Sequence, residues 1–141
     1  VHRDFHVSNL MKYKKELAAI DTQDALIGNR AYDLASIIDD VRFKSNKKLK
    51  DNIYNYYLKL NQNKIDKFIL LQDFEILSVI RNMKIIGTFT RLAVRDKKVK
   101  YLKLIPYAWR LIELRMENNQ IFDGLKRLID INFPKKIRNL K

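Results

Sequence analysis

The spacing of apolar residues changes about thirty positions into the chain. Before this point, two short apolar stretches, Leu10–Tyr13 and 17–20, are separated only by the charged segment 14–16. This pattern predicts a β-hairpin. Beyond it, apolar residues recur at steps of three and four, which is the period of an amphipathic helix. We therefore expect one hairpin followed by helices.

The helical period predicts five helices, of which the first covers about residues 31–43 and the second about 49–60. The third is expected to begin near Asn63, whose side chain suits a helix cap. Asp66 would lie in its first turn, where a negative charge favours the helix dipole. This helix is expected to continue to about Val94, with a break near Gly87, because glycine weakens a helix interior.

Two prolines limit the last two predicted helices. Pro106 suits the first turn of the fourth helix, which is expected to continue to Met116. The fifth covers about residues 121–129 and ends at the Phe133-Pro134 step, since a residue before proline avoids helical geometry. Because no repeat, low-complexity tract or linker divides the sequence, we expect a single domain over residues 1–141.

Composition agrees with a folded, helical chain. Of the 141 residues 47% are hydrophobic, and only three are glycine and two proline, which is typical of a compact domain. The absence of cysteine excludes disulfides and thiolate metal sites. Charged residues interrupt every apolar run and no signal peptide is visible, so we expect no membrane segment and a cytoplasmic location.

The chain is strongly basic. It has 29 Lys and Arg against 16 Asp and Glu, a formal net charge of +13. Such a field attracts phosphates, nucleic acid and anionic lipid surfaces, so a basic helical binding module is one interpretation. The simpler interpretation places these cations on solvated helix faces. We favour the second and expect neither nucleic acid nor a membrane as partner.

The segment HRDFHVSN at residues 2–9 combines the residue types that phosphoryl transfer requires. Asp4 precedes Asn9 by five positions, and Asp21 directly follows the second predicted strand. One carboxylate can orient an acceptor hydroxyl and take its proton, while two oxygen ligands hold Mg²⁺ against nucleotide phosphates. A hairpin that returns Asp21 beside Asn9 would meet this requirement.

Two motifs together resemble a known family. The 2–9 segment matches the His-Arg-Asp and Asn signature of kinase catalytic loops. With IDTQDALIGNRAYDLASII, it resembles the aminoglycoside phosphotransferase and choline kinase superfamily. YDLASIIDD and RNMKIIGTFTRLAVRDKKVKYLKLIP are similar to the bacterial anomeric kinases of N-acetylmuramate and N-acetylglucosamine. The resemblance extends from Val1 to about Trp109.

The resemblance implies a role for each matched residue. Asp4 would be the catalytic base or the group that orients the hydroxyl. Asn9 and Asp21 would be the Mg²⁺ ligands beside ATP. Asp33 would support the catalytic loop through its backbone, and His2 would shape that loop.

The resemblance also implies the C-terminal lobe of a protein-kinase-like fold, mainly α with a short β-hairpin. Residues 1–30 would form the catalytic loop and the metal-binding hairpin, and residues 31–141 a helical substrate subdomain. The N-terminal lobe of such kinases carries a glycine-rich turn and a phosphate-binding lysine. This sequence contains neither. We therefore expect a fragment that is inactive alone and whose partner is the missing N-terminal lobe of the same protein.

Weaker candidates for substrate binding lie near the loop. Arg3 stands where the small-molecule branch often has glycine, and it would contact Asp24 or an anionic substrate group. His6 would contact substrate or phosphate, or would serve as a structural hydrogen-bonding residue. His2 and His6 do not indicate zinc, because a third nitrogen or sulfur ligand is missing.

Four basic residues and one threonine recur along the third predicted helix at steps of three or four. They are Arg81, Lys84, Thr88, Arg91 and Arg95. They form either a solvated face or a wall of the acceptor pocket, where Arg81 would bind the carboxylate of a muramic acid. The aromatic residues Phe89, Tyr107 and Trp109 would either stack on a sugar ring or belong to the core.

The sequence therefore predicts an ATP- and Mg²⁺-dependent phosphotransferase that acts on the anomeric hydroxyl of an N-acetylated amino sugar. A protein kinase is excluded, because the 11 residues between Asp21 and Asp33 leave no room for an activation loop. Two alternatives stay open: a kinase for an aminoglycoside, choline or homoserine-type acceptor, and the basic binding module.

Overall fold

The computed structural model describes residues 1–62 and 64–139. Within these ranges the chain is mainly α-helical with a single two-stranded hairpin, which confirms the predicted fold class. The elements are β1 (Leu10–Tyr13), β2 (Glu16–Ala19), α1 (Ala31–Ile38), α2 (Lys47–Leu60), α3 (Lys67–Val94), α4 (Ile105–Met116), α5 (Asp123–Asn132) and α6 (Lys135–Arg138). Short 3₁₀ helices occupy Val7–Asn9, Val99–Leu104 and Gln120–Phe122.

The antiparallel hairpin forms where it was predicted. Leu10 pairs with Ala19 and Tyr13 with Glu16, so only two residues form the turn. Lys14 adopts a φ of 54°, which lies in the left-handed region that tight hairpin turns use. The second strand lies one residue earlier than expected, because Glu16 pairs across the turn.

The first helix ends earlier than the apolar period suggested. α1 stops at Ile38, whereas the sequence predicted a helix to about residue 43. Just beyond it, the carboxylate of Asp40 accepts the backbone N–H of Arg42 at 3.0 Å. A side chain that bonds to nearby backbone in this way competes with helical hydrogen bonds. Val41 is nevertheless fully buried, so its apolar position contributes to packing outside the helix.

The third helix differs from the prediction at its start and at its centre. Asp66 accepts the N–H groups of Phe68 and Ile69 at 2.8 and 3.1 Å, so its side chain caps the first turn. The predicted cap, Asn63, lies outside the described residues. α3 continues through Gly87 to Val94, so the predicted break is wrong.

The chain divides into two compact units, Val1–Leu77 and Ser78–Lys141. In the first unit, the ring of Phe74 on α3 packs against that of Tyr54 on α2, with centroids 5.3 Å apart. The buried core of this unit consists of Ala31, Leu34, Ala35, Ile38, Leu70 and Phe74. Since four of these residues belong to α1, the core fixes the helix that carries Asp33.

The second unit contains the C-terminal part of α3 and the helices α4, α5 and α6. α4 begins with Pro106 in its first turn, as predicted, and α5 ends directly before Phe133. Arg138 of α6, a helix that was not predicted, is buried and bonds to Glu113 and Asp130. In the part of the chain that the structure describes, no helix has the length and apolarity to span a membrane.

Candidate active site

One carboxylate of α1 holds the start of the 2–9 loop. The two oxygens of Asp33 accept the backbone N–H groups of His2 at 2.6 Å and Arg3 at 3.0 Å. Arg3 has a φ of 74°, a left-handed conformation that is uncommon for a residue with a side chain. The paired hydrogen bonds stabilise this backbone, which is the contact that the predicted role of Asp33 requires.

A second carboxylate reaches the far side of the same loop. Asp40, which is completely buried, accepts the backbone N–H of Val7 at 3.3 Å. No role is predicted for Asp40 from the sequence, where its only signal is the Asp-Asp pair directly after the apolar positions of α1.

The hairpin brings Asn9 and Asp21 together. The amide Nδ2 of Asn9 lies 3.4 Å from Asp21 Oδ2 and donates at 3.0 Å to the backbone carbonyl of Asp4. The backbone N–H of Ile20 donates to the Asn9 carbonyl at 3.0 Å, which places the end of β2 beside the start of β1. Gln23 donates to the other oxygen of Asp21 at 2.6 Å and so orients the carboxylate.

Asp4 lies between these fixed points. Its backbone carbonyl accepts the N–H of His6 at 2.9 Å as well as the amide of Asn9, so the loop closes around it. The Asp4 residue is exposed, and its carboxylate bonds to no described residue. The carboxylate is therefore accessible to a molecule from solvent.

The remaining candidates near the loop differ in their surroundings. The Nε2 atom of His2 lies 2.9 Å from the backbone carbonyl of Ile20, which links the loop to the end of the hairpin. His6 is half-buried, and its backbone belongs to the turn around Asp4. Asp24 is exposed. Of the two alternatives for Arg3, the ion pair with Asp24 is not formed within residues 1–62 and 64–139, and the contact with an anionic substrate group stays a prediction.

The basic stripe of the third predicted helix does not form one surface. Arg81 is buried at 5% exposure, whereas Lys84, Arg91 and Arg95 are exposed, and Arg95 pairs with Asp96 at 2.6 Å. Phe89 and Trp109 are also buried, as the core interpretation of these aromatics expected.

Asn9 and Asp21 together offer one side-chain amide and one carboxylate, which could supply oxygen ligands to Mg²⁺. Mg²⁺ binds few protein ligands and completes its shell with phosphate oxygens and waters. To present its oxygen, the Asn9 amide would rotate by a half-turn and give up its bonds to Asp21 and to the Asp4 carbonyl. Among the residues described, no cluster of three or more His, Cys, Asp or Glu is arranged to hold a metal.

Comparison with known proteins finds similar phosphotransferases. Residues 1–67 match the phosphotransferase enzyme family. An N-acetylmuramate/N-acetylglucosamine kinase of Neisseria meningitidis is 36% identical over 113 residues, which cover 75% of this chain and 33% of that protein. Kinases of the same name from Pseudomonas aeruginosa and Caulobacter vibrioides are 32% and 28% identical, and each match covers 80% of this chain.

These matches confirm the predicted resemblance to the phosphotransferase enzyme family, whose model residues 1–67 match. The match to this family agrees with the protein-kinase-like fold that the sequence predicted. The chain spans about a third of the length of the curated relatives it matches.

Proposed function

We propose that this chain forms the catalytic and metal-binding part of an ATP-dependent sugar kinase. The reaction would transfer the γ-phosphoryl group to the anomeric hydroxyl of N-acetylmuramate or N-acetylglucosamine. The observation that carries the proposal is the approach of Asn9 to Asp21 beside the exposed Asp4. The names of the relatives support the choice of acceptor.

In this proposal Asp4 orients the acceptor hydroxyl and takes its proton. The carboxylate suits this role because it is exposed and has no hydrogen bond to the described chain. The backbone contacts of the 2–9 loop hold Asp4 in place, so catalysis depends on positioning and not on a covalent intermediate.

Asn9 and Asp21 would hold Mg²⁺ through an amide oxygen and a carboxylate oxygen. When bound, the ion neutralises charge on the phosphate oxygens of ATP. Gln23 would keep one oxygen of Asp21 occupied and so direct the other towards the ion.

Space for the acceptor is available in the same unit as Asp4. A cavity of about 330 Å³, large enough for a monosaccharide, lies at the start of α1, and Arg30 and Lys64 contribute to its wall. Asp66 and Asp73 line the same cavity and accept hydrogen bonds from the Phe68 N–H and the Asn29 amide. Neither Arg30 nor Lys64 forms an ion pair within the described chain, so both cations are available to an acidic sugar. Arg81 is only 5% exposed, so Arg30 and Lys64 are more accessible as ligands of an acceptor carboxylate.

Phosphorus NMR of the full-length gene product tests the proposal. With MgATP and N-acetylmuramate we expect a sugar 1-phosphate to form as ATP is consumed. Excess EDTA should stop the reaction, and added Mg²⁺ should restore it. Product with an aminoglycoside, choline or homoserine, but with neither amino sugar, would contradict the proposed acceptor. If none of these acceptors is phosphorylated, the proposal that the protein is a kinase would be contradicted.

A further inference from the structure

We propose that Asp40 is a positioning residue that holds Val7, and through it the metal ligand Asn9, in the geometry that transfer requires. The inference rests on the proposed function. It is carried by the hydrogen bond from the Val7 N–H to Asp40 Oδ2, at 3.3 Å, between residues 33 positions apart.

Two carboxylates, one in the first turn of α1 and one just after its end, hold opposite sides of the 2–9 loop. Asp33, in the first turn of the helix, binds the backbone at positions 2 and 3. Asp40, two residues after the helix ends, binds the backbone at position 7. Asp4 lies between these points in the sequence, so α1 and the two residues that follow it determine the separation of the two sides of the loop.

The surroundings of Asp40 allow its carboxylate little freedom. The residue has 0% exposure, and a buried carboxylate is costly unless hydrogen bonds satisfy it. Its Oδ1 atom accepts the backbone N–H of Arg42 at 3.0 Å, and the Arg42 guanidinium lies 3.6 Å away. Because rotation would break these contacts, Oδ2 stays directed at Val7.

The restraint on Val7 extends to the metal-binding residue. Val7–Asn9 is a 3₁₀ turn, in which the Asn9 N–H donates to the His6 carbonyl at 2.9 Å. A shift of Val7 therefore moves Asn9 relative to Asp21. Small displacements of catalytic groups lower turnover strongly, by about 100-fold for a shift of about 1 Å.

The test compares Asp40→Asn with wild type in the full-length gene product, at a temperature where both are folded by circular dichroism. We expect kcat to fall about 10- to 100-fold, with the acceptor KM changed by less than about threefold. The Mg²⁺ concentration for half-maximal rate should rise. Formate should restore part of the rate lost in Asp40→Ala, because it can occupy the vacated carboxylate site.

Phe74→Ala is the control for destabilisation alone, because Phe74 belongs to the core of the same unit. While folded, this variant should retain the kcat of wild type. The proposal is overturned if folded Asp40→Asn has wild-type kcat, or if its loss of rate follows only the unfolded fraction.

An inactive wild type would refute the proposed function instead. Hydrogen exchange then tests the contact directly, since the Val7 amide should exchange faster in Asp40→Asn than in wild type. Unchanged exchange at Val7 would overturn the role of Asp40.

Discussion

The side-chain amide of Asn9 lies 3.4 Å from the carboxylate of Asp21, although the two residues are 12 positions apart. The hairpin produces this approach, because Leu10 at the start of β1 pairs with Ala19 at the end of β2. Asn9 directly precedes β1 and Asp21 lies two residues after the end of β2, so the hairpin register determines the geometry of the site.

Replacing Asp33 should loosen the 2–9 loop. Asp33→Ala removes the acceptor of two backbone N–H groups, those of His2 and Arg3. An unsatisfied, partly buried donor costs about 1–3 kcal/mol, and urea unfolding should show a loss of that size. Asp51→Ala, at an exposed position of α2, should change the free energy of unfolding by less than about 0.5 kcal/mol. Equal stability of the two variants would refute the supporting role of Asp33.

Lys50 should contribute strongly to stability in spite of its charge. It is 7% exposed and donates to Asp39 Oδ1 and to the Ile38 carbonyl, each at 2.7 Å. Lys50→Met leaves the buried Asp39 without this cation, which should cost about 3–5 kcal/mol in thermal or urea unfolding. Lys48→Met, two positions earlier and exposed, is the matched control. If both substitutions changed the free energy of unfolding by a similar small amount, the buried ion pair would not be needed for stability.

Two phenylalanines of α3 should respond very differently to truncation. Phe74 is 2% exposed and belongs to the core, whereas Phe68 is 69% exposed. Phe74→Ala should lower the free energy of unfolding by about 3–5 kcal/mol. Phe68→Ala should change it by less than about 0.5 kcal/mol. If chemical denaturation gave equal losses, the assigned core of the first unit would be wrong.

Gly87→Ala should increase stability. A methyl group at this position meets no atom within 4 Å, and the residue lies inside α3. Alanine is favoured over glycine in a helix interior by about 0.5–1 kcal/mol. Gly28→Ala provides the contrast, since its methyl group would lie 2.9 Å from a side-chain carbon of Val1. A lower melting temperature for Gly87→Ala would mean that the helix is not continuous at this residue.

Local patterns in the sequence predicted the hairpin, most helix positions and the approach of Asn9 to Asp21. These features depend on periodicity and on residues close in sequence. The early end of α1 was missed because the hydrogen bond from the Arg42 N–H to Asp40 competes with an apolar period that continues to Val41.

Other features depend on contacts between distant residues. The bond from Val7 to Asp40 joins residues 33 positions apart, and no spacing rule indicates it. Arg81 shares the period of an exposed stripe but is buried by tertiary packing. The continuity of α3 through Gly87 shows that one glycine does not interrupt a helix of 28 residues.

The most direct test of the account measures phosphoryl transfer from MgATP to N-acetylmuramate by the full-length gene product and its Asp4→Asn and Asp21→Asn variants. Asp51→Asn, which makes the same charge change at an exposed site of α2, serves as the control. We predict that kcat falls at least about 100-fold in the first two variants, with melting temperatures near wild type, and stays unchanged in the control. Wild-type turnover by folded Asp4→Asn or Asp21→Asn would contradict the central claim.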